Sequence, residues 1–419
     1  MVVITRTKST DNPLGELLLF HVEYEYICLD THDDKVERYQ GSNLRTMLNG
    51  VYKKQLERIL DDADIKIGGN RQWDIHVHRP ELYRRAIIQG NLGLGEAYMD
   101  GWWDCERLDE FFYRIISSRA EDKVSPPVML FGKAISKLYN MQRPSRAFKV
   151  AEKHYNIGND LFKAMLDKRM LYSCGYWKEA KNLEDAQEKK LHLIFQKLQL
   201  KPGMRVLDIG CGWGGAAQFA AEHYGVSVHG VTVSTEQAAI AQQYCSGLPV
   251  TIEVTDYRKL QGSFDRVYSI GMFEHVGAKN YRDYFKIVHQ CLKEDGLTLL
   301  HTIGGNNSTT SVEPWANKYI FPNANIPSAS QITSGYEELF TLEDWHVFTH
   351  DDYARTLLAW YENIEKKWSL LQPRYNEEFQ RMWRYYLLSC TGGFRSRTNQ
   401  LWQVLLSKNG IQESFSIPR

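Results

Sequence analysis

The sequence predicts an α/β fold: a doubly wound, mostly parallel sheet preceded by a smaller, mainly helical N-terminal domain. Three observations predict it. From about residue 150 onward, apolar strand-like runs alternate with helical runs across short connections, the pattern of a parallel sheet covered on both faces. The first of these strands ends in Asp208 followed by a run of glycines, and ligands of such sheets sit at the carboxyl ends of the strands. Residues 51–135 carry helical spacing instead and contain the breaker Ser125-Pro126-Pro127. A chain of 419 residues has room for two or three domains. The divisions expected are a segment 1–50 of unassigned role, a small domain 51–135, a linker 136–150 and a larger domain 151–419. The last hundred residues, helix-rich and aromatic, should lid or wall the site.

Taken in order, Lys8 to Pro13 is loop-like, and His21 to Ile27 alternates like a half-buried strand. Tyr52 to Leu60 is helical through Leu56, Ile59 and Leu60. Gly68-Gly69-Asn70 is a turn, and Trp73 to His78 alternates as a strand. Pro80 opens a helix through Tyr83, Ile87 and Ile88. A basic linker follows, with Lys133, Lys137, Arg143, Arg146 and Lys149. The larger domain then reads as a helix from Leu183 to Leu198 with Asn182 as its cap, and a strand from Met204 to Ile209. Next come a helix Ala216–His223, a strand Val226–Val231, a helix Glu236–Tyr244 and strands Val250–Val254 and Phe264–Ile270. A helix Tyr281–Leu292 and a strand Leu297–His301 complete the alternation.

Composition narrows the function. Lys plus Arg and Asp plus Glu both number 51, so bulk positive charge is not available to hold nucleic acid. No apolar run approaches the roughly 18 residues of a membrane span. Seven scattered cysteines never form C-x-x-C, which argues against a disulfide framework or a zinc site and for a reducing cytoplasm. The 11 Trp and 24 Tyr suit apolar walls with polar tips, as in lipid or ligand pockets.

The strongest local signal is Val206-Leu207-Asp208-Ile209-Gly210-Cys211-Gly212-Trp213-Gly214-Gly215. Gly210, Gly212 and Gly215 have G-x-G-x-x-G spacing, which dinucleotide folds share. A dinucleotide site also wants an acid at the tip of the next strand, for the ribose. Here that tip is Thr232-Val233-Ser234-Thr235-Glu236-Gln237, with no acid at its start. Asp208 fits a cationic amino-acid ligand better, and S-adenosylmethionine is one, with an ammonium, a sulfonium and no phosphate.

Val206 to Gly215 resembles motif I of the class I (Rossmann-like) methyltransferases. The strings Tyr172-Ser173-Cys174-Gly175-Tyr176-Trp177, Gly271 to Gly277, His301-Thr302-Ile303-Gly304 and Ala359-Trp360-Tyr361-Glu362 occur in the order found in bacterial cyclopropane-fatty-acyl-phospholipid synthases. Gly93 to Trp103 is similar to that family's N-terminal domain. The resemblance runs from about residue 52 to the C-terminus.

The resemblance implies transfer of a methylene group from S-adenosylmethionine to a cis double bond of an unsaturated acyl chain in a phospholipid. The product is a cyclopropane ring, formed through a carbocation deprotonated by bound bicarbonate. Its bicarbonate ligands map onto Cys174, Glu274, His301, Ile303 and Tyr361. Amides at Cys174 and Ile303, the Tyr361 hydroxyl and a His301 N–H would donate to the ion, and Glu274 would accept its proton. Its cofactor contacts map onto Tyr172, Ser173, Asp208, Gly210, Gly212, Gly214, Thr232, Gln237, Asp256 and Tyr257. It further implies a cytoplasmic enzyme peripherally associated with the inner face of the membrane, a homodimer, and a small domain serving dimerisation or lipid capture. Arg79, Arg84, Arg85 and the basic linker are the candidate headgroup contacts.

Taken singly, several of these residues have plainer readings. Cys174 is equally a small buried hydrophobe, His301 a satisfied core histidine and Tyr361 core. Asp256-Tyr257-Arg258 reads almost as well as a solvated turn. Three other functions compete: methylation of the alkene without ring closure, a non-catalytic lipid-binding relative, and a nucleotide-dependent dehydrogenase.

Overall fold

The structure is a computed structural model that describes residues 49–119, 158–310, 313–372, 374–411 and 416–419. The strand expected at 21–27, the Ser125-Pro126-Pro127 breaker and the basic linker lie outside these residues.

The N-terminal layer is helical, as its spacing predicts. Helix α1 (49–61) turns Leu56 and Leu60 inward. Two short strands, β1 (His76–Val77) and β2 (Trp103–Asp104), pair antiparallel, so the six-residue alternation 73–78 yields only two residues of strand. Between them lie α2 (Glu81–Gln89), entered from Pro80, and α3 (Asn91–Met99). Helix α4 (Leu108–Ser117) buries Leu108, Phe111 and Phe112.

The larger part begins with α5 (Asn159–Met165) and α6 (Leu183–Lys197). Asn182 caps α6 by accepting the Asp185 N–H at 2.9 Å, one of the donors a helix N-terminus leaves unpaired. The alternation then runs β3 (Arg205–Ile209), α7 (Gly215–Tyr224), β4 (Ser227–Thr232), α8 (Thr235–Tyr244), β5 (Val250–Val254) and β6 (Phe264–Ile270). It continues with α9 (Tyr281–Cys291) and β7 (Leu292–Gly305). After β7 come α10 (Pro314–Tyr319), α11 (Ala329–Tyr336), β8 (Thr341–Val347), α12 (His350–Glu365), α13 (Trp368–Leu371), α14 (Glu377–Arg395) and β9 (Asn399–Ser407).

One seven-stranded sheet results, in the order β5-β4-β3-β6-β7-β9-β8. The first five strands are parallel, and β9 and β8 are antiparallel to their neighbours. Strand order reverses between β3 and β6, which opens a crevice at their carboxyl ends. The two antiparallel strands lie in the region the sequence marks as helix-rich. Strand β9 is buried at every residue from Leu401 to Ser407, so it shows no alternation by which to recognise it.

The helical layer packs on the larger part through α14. Gly392 lacks the Cβ that would stand 2.5 Å from that of Phe112, so α4 and α14 approach closely. Arg395 pairs with Glu110 at 2.7 Å, and Arg381 with Asp104 at 2.7 Å. Of the proposed headgroup contacts, Arg79 and Arg84 are exposed. Arg85 is not available, because it is committed to Glu96 at 2.7 Å and Asp100 at 2.5 Å. No helix among the described residues is long and apolar enough to cross a membrane.

Candidate active site

The turn from β3 into α7 needs left-handed backbone at Gly210 (φ 89°), Gly212 (φ 53°) and Gly214 (φ 84°), which glycine adopts without steric cost. The three glycines differ in what surrounds them. A Cβ at Gly210 would strike Met272 at 2.6 Å, and one at Gly214 would strike Ala241 at 2.9 Å. A Cβ at Gly212 would meet nothing within 4 Å, so there the backbone borders open space. That space is a cavity of ≈ 1160 Å³ lined by Asp208, Gly210, Gly212, Tyr172, Ser173 and Gln237 among others.

Asp208 closes one side. It is buried, and its Oδ2 has no partner. Burial pushes its carboxyl up to about 7, outweighing the nearby Tyr268 hydroxyl, because a carboxylate is poorly solvated there. An ammonium or sulfonium-bearing ligand would supply the missing counter-charge, so the donor set and the open glycine backbone fit S-adenosylmethionine. Gln237 lies beside the tip of β4, where Thr232 Oγ1 donates to its Oε1 at 3.2 Å.

The segment carrying Tyr172, Ser173 and Cys174 is braced from behind. Gln187 Nε2 donates to the Ser173 carbonyl at 2.8 Å, and Lys190 Nζ to Ser173 Oγ and Gln187 Oε1, both at 2.7 Å. From α12, Thr356 Oγ1 accepts the Gly175 N–H at 3.0 Å and Asp352 the Trp177 N–H at 2.8 Å. Lys190 is fully buried, and burial lowers its ammonium to about 8.

Opposite, Glu274 follows β6 in a short 3-10 turn (Phe273–His275). Its Oε1 accepts the Ile303 N–H at 2.6 Å, and its Oε2 is buried without a partner. Burial raises this carboxyl above its ordinary range. His301, on β7, is buried, and its Nε2 has no partner. Desolvation, together with Lys190, Lys197 and His346, holds the ring well below the usual histidine value. Cys174 packs with Leu193, Phe348 and Leu401, against which Ile303 and Tyr353 also lie. Burial pushes its thiol far up, so it is not a thiolate nucleophile.

Of the five expected base-site residues, Glu274 and Ile303 line the cavity, whereas Cys174 and His301 are buried in its surroundings, Cys174 packed with Ile303 and Phe348 and His301 edge-on to Phe348. Ile303 differs from expectation in that its amide N–H is taken by Glu274. Tyr361 is not brought to the cavity. It sits half-buried among Glu365, Arg384 and Asp109, at the junction with the helical layer. The tyrosine of α12 that lines the cavity is Tyr353, one turn into the helix, near Cys174, Glu274 and Tyr172. The sequence contained a weak signal for it: Tyr353 precedes the Leu357, Leu358 and Trp360 stripe on the same helix.

The expected cofactor contacts also divide. Tyr172, Ser173, Asp208, Gly210, Gly212 and Gln237 line the cavity, whereas Gly214, Thr232, Asp256 and Tyr257 do not. Gly214 serves packing against α8. Asp256 turns to Arg258 in a 2.6 Å ion pair and caps the following turn. Tyr257 packs edge-on to Tyr284 at 5.5 Å.

The rest of the wall is apolar and aromatic. Tyr172 and Tyr386 join hydroxyls at 2.7 Å, and Phe321 lies edge-on to Tyr386 at 5.5 Å. The cavity continues into the helical layer along Leu56, Ala86, Ile87, Leu94, Phe112 and Ile116.

Comparison with known proteins agrees with this geometry. The profile of the family described as Mycolic acid cyclopropane synthetase matches residues 142–404. The cyclopropane-fatty-acyl-phospholipid synthase of Escherichia coli (strain K12) is 50% identical over 365 residues, covering 86% of this chain and 94% of that protein. The solved structure of the cyclopropane synthase MmaA2 from Mycobacterium tuberculosis matches with a TM-score of 0.58 at 32% identity, covering 62% of this chain and 98% of that one. The mycolic acid cyclopropane synthase CmaA1, complexed with SAH and CTAB, matches with a TM-score of 0.58 at 30% identity over 62% and 98%.

Proposed function

This chain belongs to the mycolic acid cyclopropane synthetase family of S-adenosylmethionine-dependent methyltransferases, and we propose that it builds a cyclopropane ring on the cis double bond of an unsaturated fatty-acyl chain carried in a phospholipid. One observation carries the reading. A single cavity joins the Asp208–Gly212 turn, the Glu274 carboxylate with its unpartnered Oε2 and an aliphatic passage into the helical layer. Such a space takes a cationic donor at one end and an acyl chain at the other.

When bound, S-adenosylmethionine supplies a methyl group on a sulfonium, and a bicarbonate ion supplies a base small enough to share the site with a lipid. The residues do the rest. Asp208 offsets the donor's positive charge, and Gln237 offers an amide for the ribose. The faces of Tyr172, Tyr353 and Tyr386 attract a carbocation by about 0.5 to 2 kcal/mol each. Glu274 would accept the O–H of the bound ion and fix its orientation, while His301 and the Tyr353 hydroxyl would donate to it. Tyr353 takes the part that motif order assigned to Tyr361. Burial of these groups excludes water that would otherwise quench the cation.

The acyl chain reaches the passage from a bilayer, so the enzyme works as a cytoplasmic protein peripherally bound to the inner membrane face. Arg79 and Arg84 are its described headgroup contacts, each worth about 1 kcal/mol near an anionic surface. The small domain 51–135 serves lipid capture or homodimerisation.

The test is incubation with unsaturated phosphatidylglycerol vesicles and labelled S-adenosylmethionine, with and without bicarbonate. The expected product gains CH₂ and loses its double bond to a ring, and its formation needs the added ion. A product that keeps a double bond marks alkene methylation instead. Turnover at full rate after removal of dissolved carbon dioxide refutes the bicarbonate step.

A further inference from the structure

The wall behind His301 is built from three strands whose register sets side chains in a row. In the β7–β9 ladder His301 stands opposite Gln403, and in the β9–β8 ladder Gln403 stands opposite His346. Directly opposed residues of antiparallel strands project from the same face, so His301, Gln403 and His346 line up across the sheet. Gln403 is fully buried. Its Nε2 lies 3.3 Å from His301 Nδ1. As placed, its NH₂, which has only donors to offer, meets that nitrogen, and its Oε1 is buried without a partner.

We propose that Gln403 is a positioning residue: by donating to Nδ1 it holds His301 as a neutral ring with its proton on Nε2, the ring atom left for a ligand. The charge state has its own support on the far side. Lys197, fully buried, donates to His346 Nδ1 at 3.1 Å and pairs with Asp344 at 2.9 Å, and Arg419 binds the same carboxylate. Lys190 approaches from α6. The ammonium groups of Lys190 and Lys197 on α6 therefore oppose its protonation, and no described carboxylate is bonded to the ring. A neutral imidazole has one N–H and one lone pair, and the partner at one nitrogen decides the role of the other. Buried and otherwise unpartnered, Nε2–H is then a donor fitted to an anion's oxygen. The alternative tautomer would offer that anion a lone pair instead.

This inference rests on the anion-site reading above, and the test separates the two. Long-range ¹H–¹⁵N correlation on the full-length, histidine-labelled enzyme, with a His301→Gln variant for assignment, reports which nitrogen carries the proton without any turnover. Nδ1 as lone pair and Nε2 protonated is the expected result. A proton on Nδ1 in the wild type overturns the proposal.

Gln403→Leu and Gln403→Glu are then compared. Leu removes the donor, and Glu replaces it with an acceptor that draws the proton to Nδ1. Both should raise the bicarbonate KM at least tenfold, with the S-adenosylmethionine Kd unchanged within twofold. The Glu variant should also show the changed Nδ1 signal. An unchanged bicarbonate KM with an unchanged Nδ1 signal in the Glu variant refutes the role of Gln403. Wild-type turnover indifferent to bicarbonate removes the anion reading, while the tautomer measurement still decides the hydrogen bond.

Discussion

Glu274→Gln is the sharpest perturbation of the site, because it changes one atom and leaves the volume nearly constant. The wild-type Oε1 accepts the Ile303 N–H at 2.6 Å, and Oε2 is buried and unpartnered. Glutamine keeps an oxygen for Ile303 and must then present an NH₂ where Oε2 stood. A charge-assisted hydrogen bond to the ion's O–H is lost, worth about 1.5 to 3 kcal/mol, and two donors are left facing each other at about 1 to 3 kcal/mol. The sum is about 2.5 to 6 kcal/mol, or roughly 10² to 10⁴ in rate at about 1.4 kcal/mol per decade. The assay is label transfer from S-adenosylmethionine to unsaturated phospholipid vesicles at saturating bicarbonate, with cofactor affinity measured by calorimetry. Affinity should stay within threefold of wild type, since Glu274 is not among the residues assigned to the cofactor. The pH profile gives a second signature. Burial raises the Glu274 carboxyl, so wild-type activity falls on the acid side at a pH above the ordinary carboxylate range. The glutamine variant should lack that limb. Turnover within tenfold of wild type refutes the reasoning.

Three further outcomes follow from the same geometry. Tyr353→Phe should raise the bicarbonate KM about tenfold, the cost of one hydroxyl donor to an anion, while Tyr361→Phe should change it by less than threefold; equal effects, read from initial rates, would contradict the placement of the two rings. Burial holds Asp208 up to about 7, so a cationic ligand that favours the carboxylate must expel a proton. At pH 7 calorimetry in buffers of different ionisation enthalpy should show about half a proton released per S-adenosylmethionine bound, with affinity falling as pH drops below 7, and Asp208→Asn should show neither effect. Lys190→Met removes a buried ammonium whose value is lowered from 10.5 to about 8. The native state therefore loses this proton first on raising the pH, the unfolded chain holds more protons between about 8 and 10.5, and wild-type stability gains there. Denaturant titrations should show that gain, about 3 kcal/mol in full, missing from the variant; identical slopes in the two proteins would rule the assignment out.

Much of the fold was legible because it depends on neighbours in sequence. The strands at 204–209, 226–231 and 264–270 are short apolar runs between helical ones, and their order alone implies parallel pairing. Asn182 announces its helix by cap chemistry. The glycines at 210, 212 and 214 mark a turn that needs left-handed backbone, and Asp208 marks the ligand's charge. Glu274 and His301 could be placed because one follows and the other ends a recognisable strand.

Other features depend on residues far apart in the chain. Strand β9 carries no alternation because both of its faces are covered, so its pairing with β7 and β8 is invisible before folding. Tyr353 and Tyr361 lie on one helix, eight residues apart. That is about 12 Å along the axis and about 80° around it, and only the packing of α12 on its neighbours decides which ring meets the cavity. Nothing local distinguishes Lys190 from the other lysines of α6 or Gln403 from the other glutamines near the C-terminus. Their significance arises when the sheet closes: a cation is then sealed behind Ser173, and an amide is set against a histidine 102 positions earlier. The sequence by itself determined the parallel βα core, the turn that meets the donor and the residue types the chemistry needs. The tertiary structure alone decided which copies of those types face one another, since burial and hydrogen-bond geometry are properties of contacts that exist only once distant segments have packed.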